Sequence, residues 1–477
     1  MELSALDATG AAEFVRAGEV SARELVEASI ARIERHNPEL GAVVIPLFDE
    51  ARASLPALPD GPFHGVPIVI KDLLASVAGA PYTGGVPALK RAGYRTPQDS
   101  YVIETLRRAG FVLVGKSNTS ELGIVPSAEP PCWPPSKNPY DLARTTGGSS
   151  GGTAGAVAAG LVPIGHGSDG GGSIRIPASC CGLFGLKPSR GRVSMGPDFG
   201  DIAGGLVSEM ALTRSVRDAA AVLELLAGPR VGDPYAAPPP RRPYPQELSA
   251  PPGRLRIGFA TARLGADGAT HPSHPDCVAA VEDAARLLGE LGHHVEEAEP
   301  ATVRDPEWVA RFVVLWTTTV VSNLDDIAEG LGRPIREDDV EVLTWGLYHL
   351  GKMITASGYD RAWRWIHRAA RRVAQFWETY DLWLTPTVTA PPPLLGAFRS
   401  PPDDPLGGLM AASEFAPFTA LINATGQPAA SVPLARSAAG LPIGVQLVAA
   451  YGREDVLLRV SSQLEAARPF QHVATRA

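Results

Sequence analysis

Cysteine is scarce in this sequence, which has four cysteines among 477 residues. The four form no CxxC pair, and the neighbouring Cys180 and Cys181 are poorly placed for an easy disulfide or a shared zinc site. A chain of this length can bury a large core without a covalent or metal staple. We therefore expect a reduced protein that needs neither a disulfide nor a metal ion to fold.

Long basic runs and long apolar runs are also missing. No run of five Lys or Arg occurs, and the formal net charge is −8, which argues against a nucleic-acid or anionic-membrane partner. The most apolar later stretch, residues 312–321, contains three threonines and is too short to span a bilayer. Residues 1–14 lack the basic and apolar regions of a secretory signal. These features predict a soluble, cytoplasmic protein.

Helix-like and strand-like segments alternate along most of the chain, and this alternation predicts an α/β fold. Ser21–Glu24 is a capping-box pattern before an amphipathic helix, whereas residues 65–71 and 110–115 are short apolar runs typical of buried strands. The 50 Gly and 45 Pro lie between such segments and therefore indicate loops and turns. We expect one domain over residues 1–477, with helices covering a mainly parallel or mixed sheet.

Two later regions depart from this alternation. Residues 306–380 contain six of the eight tryptophans and predict three long helices on the substrate side, followed by a strand at residues 381–386. The proline-rich segment 390–406 is long enough to form either an active-site rim or a plain surface loop.

The segment 145–188 has the composition of a catalytic loop system. It contains GGSSGG at residues 147–152 and GSDGGGS at residues 167–173, each followed by a helix-like stretch. Backbone N–H groups at a helix N-terminus can stabilise negative charge, and consecutive glycines let a carbonyl group approach the backbone closely. With Ser173 as the nucleophile, this pattern suits an oxyanion hole formed by Gly170, Gly171, Gly172 and Ser173.

A serine nucleophile needs a base, and two residues are candidates. His166 is near in sequence, but no GxSxG motif surrounds Ser173. Lys71 ends an apolar strand, where desolvation would lower its pKa and favour the neutral base, with a second serine as a proton relay. From spacing alone, a Ser–Lys hydrolase, a phosphate-binding loop and a structural loop all stay open, although GGSSGG lacks the ending of a P-loop.

These motifs together resemble the amidase signature family. The resemblance implies an α/β/α sandwich whose central mixed sheet is covered by helices on both faces, with residues 65–192 as the catalytic core. Two late segments, residues 337–341 and 448–455, are most similar to the 6-aminohexanoate-cyclic-dimer (nylon-oligomer) hydrolases of that family. The matching segments are residues 65–72, 106–122, 138–192, 423–433 and 440–446.

The resemblance implies a catalytic set of Lys71, Ser149 and Ser173. Ser149 would follow a cis peptide, and its 24-residue step to Ser173 fits the family spacing and selects it over Ser150. The family's oxyanion hole is built from backbone N–H groups, here those of residues 170–173, and its chemistry uses no metal or organic cofactor. Gly170 stands where the family more often has Thr or Ala.

Other residues are expected to support this set or to line the substrate pocket. Asp169 and Arg175 flank the nucleophile as an ion pair that shapes its loop, and Ser150 is expected to cap the following helix. Pocket-lining candidates, for each of which core packing is the competing explanation, are Trp316, Phe415, Phe418, Ile422 and Trp133.

The function implied by the resemblance is hydrolysis of the C–N bond of a small or oligomeric, fairly apolar amide, extending to carbamates and anilides. The partner would be this small-molecule substrate, and a homodimer is left open. Two alternatives belong to other classes. One is the glutaminase subunit of a tRNA-dependent amidotransferase, which would need partner subunits and a polar pocket, and the other is a non-catalytic protein that kept the fold.

Overall fold

The computed structural model describes residues 3–264 and 269–470. Its strands, in chain order, are β1 (Val43–Pro46), β2 (Pro67–Lys71), β3 (Val112–Ser117), β4 (Lys137–Asn138), β5 (Asp141–Thr145), β6 (Ile164–Asp169), β7 (Phe184–Lys187), β8 (Ser208–Thr213), β9 (Arg256–Phe259), β10 (Ala262–Leu264), β11 (Thr270–Pro272), β12 (His294–Glu297), β13 (Leu382–Pro386), β14 (Ala429–Arg436) and β15 (Pro442–Ala449).

The α-helices are α1 (Ala8–Arg16), α2 (Ala22–Leu40), α3 (Phe48–Ser54), α4 (Pro87–Ala92), α5 (Tyr101–Arg108), α6 (Gly151–Ala158), α7 (Arg175–Cys181), α8 (Val216–Leu226), α9 (Tyr244–Glu247), α10 (Pro275–Glu290), α11 (Glu307–Leu331), α12 (Val342–Lys352), α13 (Ala356–Ala374), α14 (Gly407–Phe415), α15 (Pro417–Thr425) and α16 (Glu454–Ala467).

Eleven of these strands form one mixed sheet in the order β1-β3-β2-β6-β8-β7-β14-β15-β13-β9-β12. Strand β2 runs parallel to β3 and β6, and β9 runs parallel to β12 and β13. The other neighbours in the sheet are antiparallel. Two separate two-stranded ribbons are formed by β4 with β5 and by β10 with β11.

Both faces of the middle of the sheet are covered. Every residue of β2, β3, β6, β7, β8, β13 and β15 is buried. Because successive side chains of a strand point to opposite faces, complete burial requires packing on both sides. Helix α7 packs on β7, β14 and β15, and α16 packs on β14 and β15. The expected α/β fold with a central mixed sheet is therefore confirmed.

The tryptophan-rich region contains α11, α12 and α13, and β13 returns from it to the sheet. A second apolar core lies here, in which Trp308, Ile366 and Trp383 are buried together. None of the helices among the described residues is long and apolar enough to cross a membrane.

The proline-rich segment 390–406 is tied to the ribbon strand β5. The Thr145 N–H donates to Pro393 O at 3.0 Å, and the Leu395 N–H donates to Ala143 O at 3.0 Å. The Gly396 N–H donates to the Glu129 carboxylate at 2.8 Å. The segment is therefore held by hydrogen bonds at several points along its length.

Helix α6 approaches the neighbouring backbone so closely that one of its positions must be glycine. A Cβ atom at Gly152 would lie 2.3 Å from Asn118 N and 2.6 Å from Ala42 O, both of which are backbone atoms. Because backbone atoms of a buried strand end cannot move aside cheaply, Gly152 fixes how near α6 lies to the sheet. The serines at positions 149 and 150, which precede this helix, are positioned by the same contact.

Substitution of this glycine tests the close approach. We expect Gly152→Ala to lower the free energy of unfolding by about 3 kcal/mol or more, because its methyl group would overlap backbone atoms. Gly155→Ala, in the same helix, is the matched control: its Cβ would meet the Thr146 side-chain methyl at 3.3 Å. It should stay within about 1 kcal/mol of wild type, since Ala is the better helix former. Equal losses for the two variants in denaturant titrations would contradict this account.

Candidate active site

Lys71 lies at the carboxyl end of β2, between β3 and β6, and its side chain has no solvent exposure. Its Nζ lies 2.7 Å from Ser149 Oγ and 2.9 Å from Ser168 Oγ. A longer contact of 3.5 Å joins the same nitrogen to Ser168 O. Three oxygen atoms therefore surround the amine, and none of the carboxylates in the described part of the chain is bonded to it directly.

Burial controls the protonation of this amine. Desolvation lowers the pKa of Lys71 to about 7, and the negative charges of Asp169 and Glu209 act in the opposite direction. A substantial fraction of Lys71 is therefore neutral near neutral pH, and a neutral amine can accept a proton.

Ser149 and Ser150 stand at the amino-terminal end of α6 and make different contacts. The Gly148–Ser149 peptide bond is cis, and Ser149 Oγ is the partner of Lys71. Ser150 occupies the N-cap position of α6 but makes no capping hydrogen bond. Its hydroxyl donates to Ser168 O at 3.2 Å and accepts from Ser168 N–H at 3.3 Å. The expected capping role is thus replaced by a tie to β6, because α6 begins directly beside that strand.

Ser173 lies in the loop between β6 and α7, and its carbonyl accepts the Ser150 N–H at 3.2 Å. Ser149, Ser168, Gly170 and Ser173 all line one small cavity of about 50 Å³. Ser173 also lines a second, larger cavity. The fold therefore brings the three sequence-predicted residues Lys71, Ser149 and Ser173 into one neighbourhood, with Ser173 between two cavities.

The loop around Ser173 is organised by a buried ion pair. Arg175 Nη2 lies 2.8 Å from Asp169 Oδ1, and neither side chain is exposed. The Asp169 carboxylate also accepts the N–H groups of Gly172 at 2.8 Å and Ile174 at 3.2 Å. Burial alone would raise the pKa of the Asp169 carboxyl, but the charges of Arg175 and Lys187 hold it well below its usual range. Asp169 is therefore a permanent anion that fixes the loop.

One of the four N–H groups predicted for the oxyanion hole has another partner. The Gly172 N–H is bonded to Asp169, so it does not face a substrate oxygen. Gly172 has a φ of +127°, and a Cβ there would lie 2.4 Å from Thr419 Oγ1, so the position requires glycine for its shape. The N–H groups of Gly170, Gly171 and Ser173 remain as the candidates.

Sequence reasoning missed several polar residues of this site. Ser168 bonds to Lys71, although it stands inside the glycine-rich segment that the motif analysis singled out. Asn423 Nδ2 donates to the Asp169 carboxylate at 2.9 Å, and Gln446 Oε1 accepts from Arg175 at 2.7 Å. Both lie in late segments that matched the family. That Asn423 and Gln446 bond to this ion pair could have been suspected from the sequence. Buried amide side chains need hydrogen-bond partners, and the Arg175 guanidinium has more N–H donors than the Asp169 carboxylate can accept.

The larger cavity has a volume of about 250 Å³ and a mostly apolar wall. Trp316 and Phe418, two of the predicted pocket residues, line it, and so does Leu406 at the end of the proline-rich segment. Further apolar lining residues are Ile124, Val125, Ile176, Trp308, Val309, Phe312, Val313, Leu350, Trp383, Leu409, Met410 and Leu421. This cavity suits a ligand with a sizeable apolar part.

Three other predicted pocket residues are placed elsewhere. Phe415 packs against Phe398, with ring centroids 5.4 Å apart, and Ile422 is buried in the second apolar core. Trp133 donates its Nε1–H to Thr83 Oγ1 at 3.1 Å, and Lys90 Nζ lies 3.4 Å from its ring centroid. For these residues packing or local bonding, rather than the cavity wall, accounts for the side chain.

His166 and the acidic residues near the site form no metal-binding group. His166 Nε2 lies 3.3 Å from Glu209 Oε1, and both side chains are buried. Within the described part of the chain, no three His, Cys, Asp or Glu side chains come together in an arrangement that could hold a metal ion.

The sequence profile of the amidase family matches residues 24–458. The chain belongs to the amidase signature family. This amidase is 42% identical to a 6-aminohexanoate-cyclic-dimer hydrolase of Paenarthrobacter ureafaciens, over 97% of this chain and 95% of the relative. A similarly named hydrolase from a Pseudomonas species has the same identity and coverage. The resemblance inferred from the motifs is thereby confirmed.

Solved structures agree with this assignment. A structure of 6-aminohexanoate cyclic dimer hydrolase superimposes with a TM-score of 0.94 at 41% identity, covering 98% of each chain. A glutamyl-tRNA(Gln) amidotransferase chain from Thermotoga maritima superimposes with a TM-score of 0.79 at 26% identity, covering 100% of this chain and 99% of that one. The amidase is therefore an amide-hydrolysing family member similar to the cyclic-dimer hydrolases.

Gly170 allows an indole ring to lie against the loop that precedes Ser173 in this amidase. A Cβ at Gly170 would lie 3.0 Å from Trp316 Cη2 and 3.0 Å from Trp316 Cζ3. Trp316 lines both cavities and stacks on Phe312, with ring centroids 5.3 Å apart. The missing methyl group at position 170 therefore makes room for the ring at the junction of the two cavities.

This contact predicts that positions 170 and 316 depend on each other. We expect Gly170→Ala to lower kcat/KM for an amide by about tenfold, because the ring must shift and thereby change the space where the two cavities meet. Gly170→Ala combined with Trp316→Leu should recover most of that loss, since leucine leaves the methyl group free. Steady-state kinetics on the double-mutant cycle measure the coupling. Independent, multiplicative effects of the two changes would show that the contact does not matter.

Proposed function

We propose that this amidase cleaves the C–N bond of small or oligomeric, fairly apolar amides through an acyl-enzyme on Ser173. The observation that carries the proposal is the hydrogen bond of 2.7 Å between the buried Lys71 amine and Ser149 Oγ. Ser149 in turn shares a small cavity with Ser173, which also opens to an apolar cavity. The proposed base Lys71, relay Ser149 and nucleophile Ser173 are thus arranged one after another in space. The larger cavity beside Ser173 offers room for the acyl or the amine chain of the substrate.

The surroundings of Lys71 orient its lone pair toward the relay. A neutral amine has two N–H donors and one lone pair. Ser168 offers Oγ at 2.9 Å and its carbonyl oxygen at 3.5 Å as acceptors for the two donors. The lone pair is then left for the hydroxyl proton of Ser149. Ser168 is accordingly a positioning residue in this scheme.

Acylation follows from this arrangement. Ser149 passes its proton to Lys71 and takes the proton of Ser173 as Ser173 Oγ attacks the amide carbonyl carbon. The negative charge that forms on the carbonyl oxygen faces the N–H groups of Gly170, Gly171 and Ser173. When the C–N bond breaks, the proton held by the relay goes to the leaving nitrogen, and the amine departs.

Deacylation uses the same groups with water. The relay takes a proton from water as the water oxygen attacks the ester carbonyl of acylated Ser173. The ester C–O bond breaks, the proton returns to Ser173 Oγ, and a carboxylic acid is released. The net reaction consumes one amide and one water and gives one acid and one amine, without a metal or organic cofactor.

The proposed substrates are linear or cyclic oligomers of the 6-aminohexanoate type. The apolar wall of the larger cavity and the names of the relatives at 42% identity support this class. Carbamates and anilides are included in the proposal, because they present the same carbonyl carbon to Ser173. The glutaminase alternative has the weaker support, because the amidotransferase chain is only 26% identical and the larger cavity has a mostly apolar wall.

A hydrolysis panel tests the proposed chemistry. It contains a linear amide, a cyclic amide oligomer, a dicarbamate, an anilide and glutamine. We expect turnover of at least one of the first four, with Ser173→Ala and Lys71→Ala each lowering kcat/KM by at least about a thousandfold, because both act in the same proton-coupled step. Product formation by chromatography is the measurement.

A second buried lysine provides the control for this panel. Burial also lowers the pKa of Lys187 to about 7, but within residues 3–264 and 269–470 its Nζ donates only to Pro188 O, at 2.7 Å. Lys187→Met should keep most of the activity in folded protein, because Asp169 still has its stronger partner, Arg175, at 2.8 Å. Activity that survives Ser173→Ala would refute the assigned nucleophile, turnover of glutamine alone would favour the glutaminase function, and inactivity on the whole panel would favour a non-catalytic protein.

The pH dependence follows from the pKa of Lys71. Since burial lowers this pKa to about 7 and the neutral amine is the base, kcat/KM should fall below pH 7 as the amine takes up a proton. The Glu209 carboxylate raises the pKa, so Glu209→Gln should move the acid limb to lower pH. A kcat/KM profile that is flat from about pH 5 to about pH 9 would exclude Lys71 as the titrating base.

A further inference from the structure

Ser173 lies where two cavities of unequal size meet. The larger has a volume of about 250 Å³ and a mostly apolar wall, whereas the smaller has a volume of about 50 Å³. Gly123, Ile124 and Trp316 line both cavities, as Ser173 does, and they therefore mark the junction. An amide whose carbonyl carbon lies at Ser173 has two sides, the acyl chain and the amine, and the two cavities offer them unequal room.

The proton relay is on the side of the smaller cavity. Among the described residues, Ser149 and Ser168 line the smaller cavity and are absent from the wall of the larger one. Gly123, at the junction, comes close to the relay, because a Cβ atom there would lie 3.1 Å from Ser149 Oγ. The same oxygen is 2.7 Å from Lys71 Nζ. The hydroxyl that donates to the leaving group in the proposed mechanism is therefore reached from the smaller cavity.

Proton transfer determines which side of the substrate lies near this hydroxyl. The C–N bond breaks as the leaving nitrogen takes a proton, so that nitrogen must come within hydrogen-bonding distance of the donor, about 2.6–3.2 Å. In the tetrahedral intermediate, the nitrogen and the acyl carbon are different substituents of one carbon atom and point in different directions. With the nitrogen at Ser149, the amine begins in the smaller cavity, and the acyl chain extends into the larger one.

Deacylation requires the same arrangement. The attacking water gives its proton to the relay, so it must occupy the place that the amine has left. A cavity of about 50 Å³ is sufficient, since one water needs about 10–15 Å³. Ser149, Ser168 and Asn323 supply polar side chains to its wall. An apolar acyl chain can therefore stay in the larger cavity while the amine is exchanged for water in the smaller one.

One polar residue of the smaller cavity is not part of the relay. Asn323 lies in α11, and steps of three or four residues place it on the same face of the helix as Trp316, Thr319 and Val320, which also line this cavity. Asn323 is half-buried, and none of the described residues forms a hydrogen bond with its side-chain amide. This amide is therefore available to the N–H groups of a small amine, and its bulk bounds the space for that amine.

We propose that the smaller cavity, bounded by Asn323, binds the leaving amine and that the larger cavity binds the acyl chain. This inference rests on the proposed amidase function and narrows its substrate class to amides with a long apolar acyl chain and a compact amine. An equally long chain on the nitrogen would have to extend out of the smaller cavity, and it would lose the burial that the larger cavity gives to an acyl chain.

Two isomeric amides test this assignment of the cavities. N-ethyloctanamide carries its long chain on the acyl side, and N-octylacetamide carries the same chain on the nitrogen. We expect kcat/KM for N-ethyloctanamide to be higher by about a hundredfold, the effect of burying about three to four methylene groups. Released ethylamine and octylamine are measured by chromatography. Binding in a reversed, unproductive orientation lowers kcat and KM together and leaves this comparison intact.

A change at Asn323 tests the boundary of the smaller cavity. Asn323→Ala should raise kcat/KM for N-butyloctanamide relative to N-ethyloctanamide by about fivefold, because the shorter side chain makes room for the two added methylene groups. Leu409→Ala is the matched control, because Leu409 lines the larger cavity and not the smaller one. It should leave this ratio unchanged even if it slows the hydrolysis of both amides.

The outcomes separate this inference from the proposed function. Equal or faster turnover of N-octylacetamide, abolished by Ser173→Ala, would overturn the assignment of the cavities and leave the nucleophile in place. An unchanged ratio in Asn323→Ala, with the variant folded by thermal unfolding, would overturn Asn323 as the boundary.

A pair of isomeric esters, ethyl octanoate and octyl acetate, repeats the comparison with a better leaving group. Absence of turnover of both amides would refute the proposed amide hydrolysis, and the esters would then decide the assignment of the cavities. Faster hydrolysis of ethyl octanoate would support it, and faster hydrolysis of octyl acetate would overturn it. Inactivity on the esters as well would overturn this inference together with the proposed function.

Discussion

The buried ion pair between Asp169 and Arg175 is the interaction on which the geometry around Ser173 depends. Two opposite charges taken out of water are costly unless their remaining hydrogen-bonding capacity is used. Here Asp169 also accepts from backbone N–H groups on either side of Ser173, and Arg175 reaches Asn423 and Gln446. The loop is thus held from β6, α15 and β15 at once. The backbone N–H groups of a loop held in this way are already in place and need no rearrangement when negative charge develops on a substrate.

A comparison of Lys71 with Lys187 separates the effect of burial on the pKa of a lysine amine from the effect of the side chains that bond to that amine. Desolvation brings the pKa of both amines to about 7. Only Lys71 has hydroxyl groups within hydrogen-bonding distance, at Ser149 and Ser168, whereas Lys187 bonds to a carbonyl oxygen. Burial therefore supplies a neutral amine, and in the proposed mechanism the adjacent serine at position 149 gives that amine a proton to accept. A perturbed lysine alone would be a poor guide to a catalytic site in this fold.

Short sequence patterns correctly predicted those parts of the site that lie within one strand or one loop. The uninterrupted apolar run before Lys71 is a buried strand, and the two glycine-serine segments surround the nucleophile. Contacts between distant segments were beyond such patterns. The hydrogen bond from the Gly172 N–H to Asp169 depends on how the loop turns back on itself. The hydrogen bond between Lys71 and Ser168 depends on the pairing of β2 with β6.

The pocket was the least predictable part for a related reason. An aromatic residue in a helix has the same sequence pattern whether it faces a cavity or a packed core, which is why Trp316 and Phe415 were indistinguishable. The order of eleven strands likewise joins segments from residue 43 to residue 449 and is set by packing over the whole sheet. Resemblance to a known family supplied the sandwich architecture and the proposed role of Ser149, which spacing alone had left open.

The contact between Gly170 and Trp316 also ties the shape of the pocket to a single position of the loop. A methyl carbon at position 170 would lie 3.0 Å from the ring, so the indole would have to move by a few tenths of an ångström. Because Trp316 lines both cavities, that movement would change the space where they meet. One methyl group in the loop can therefore alter the fit of a substrate without touching Lys71, Ser149 or Ser173.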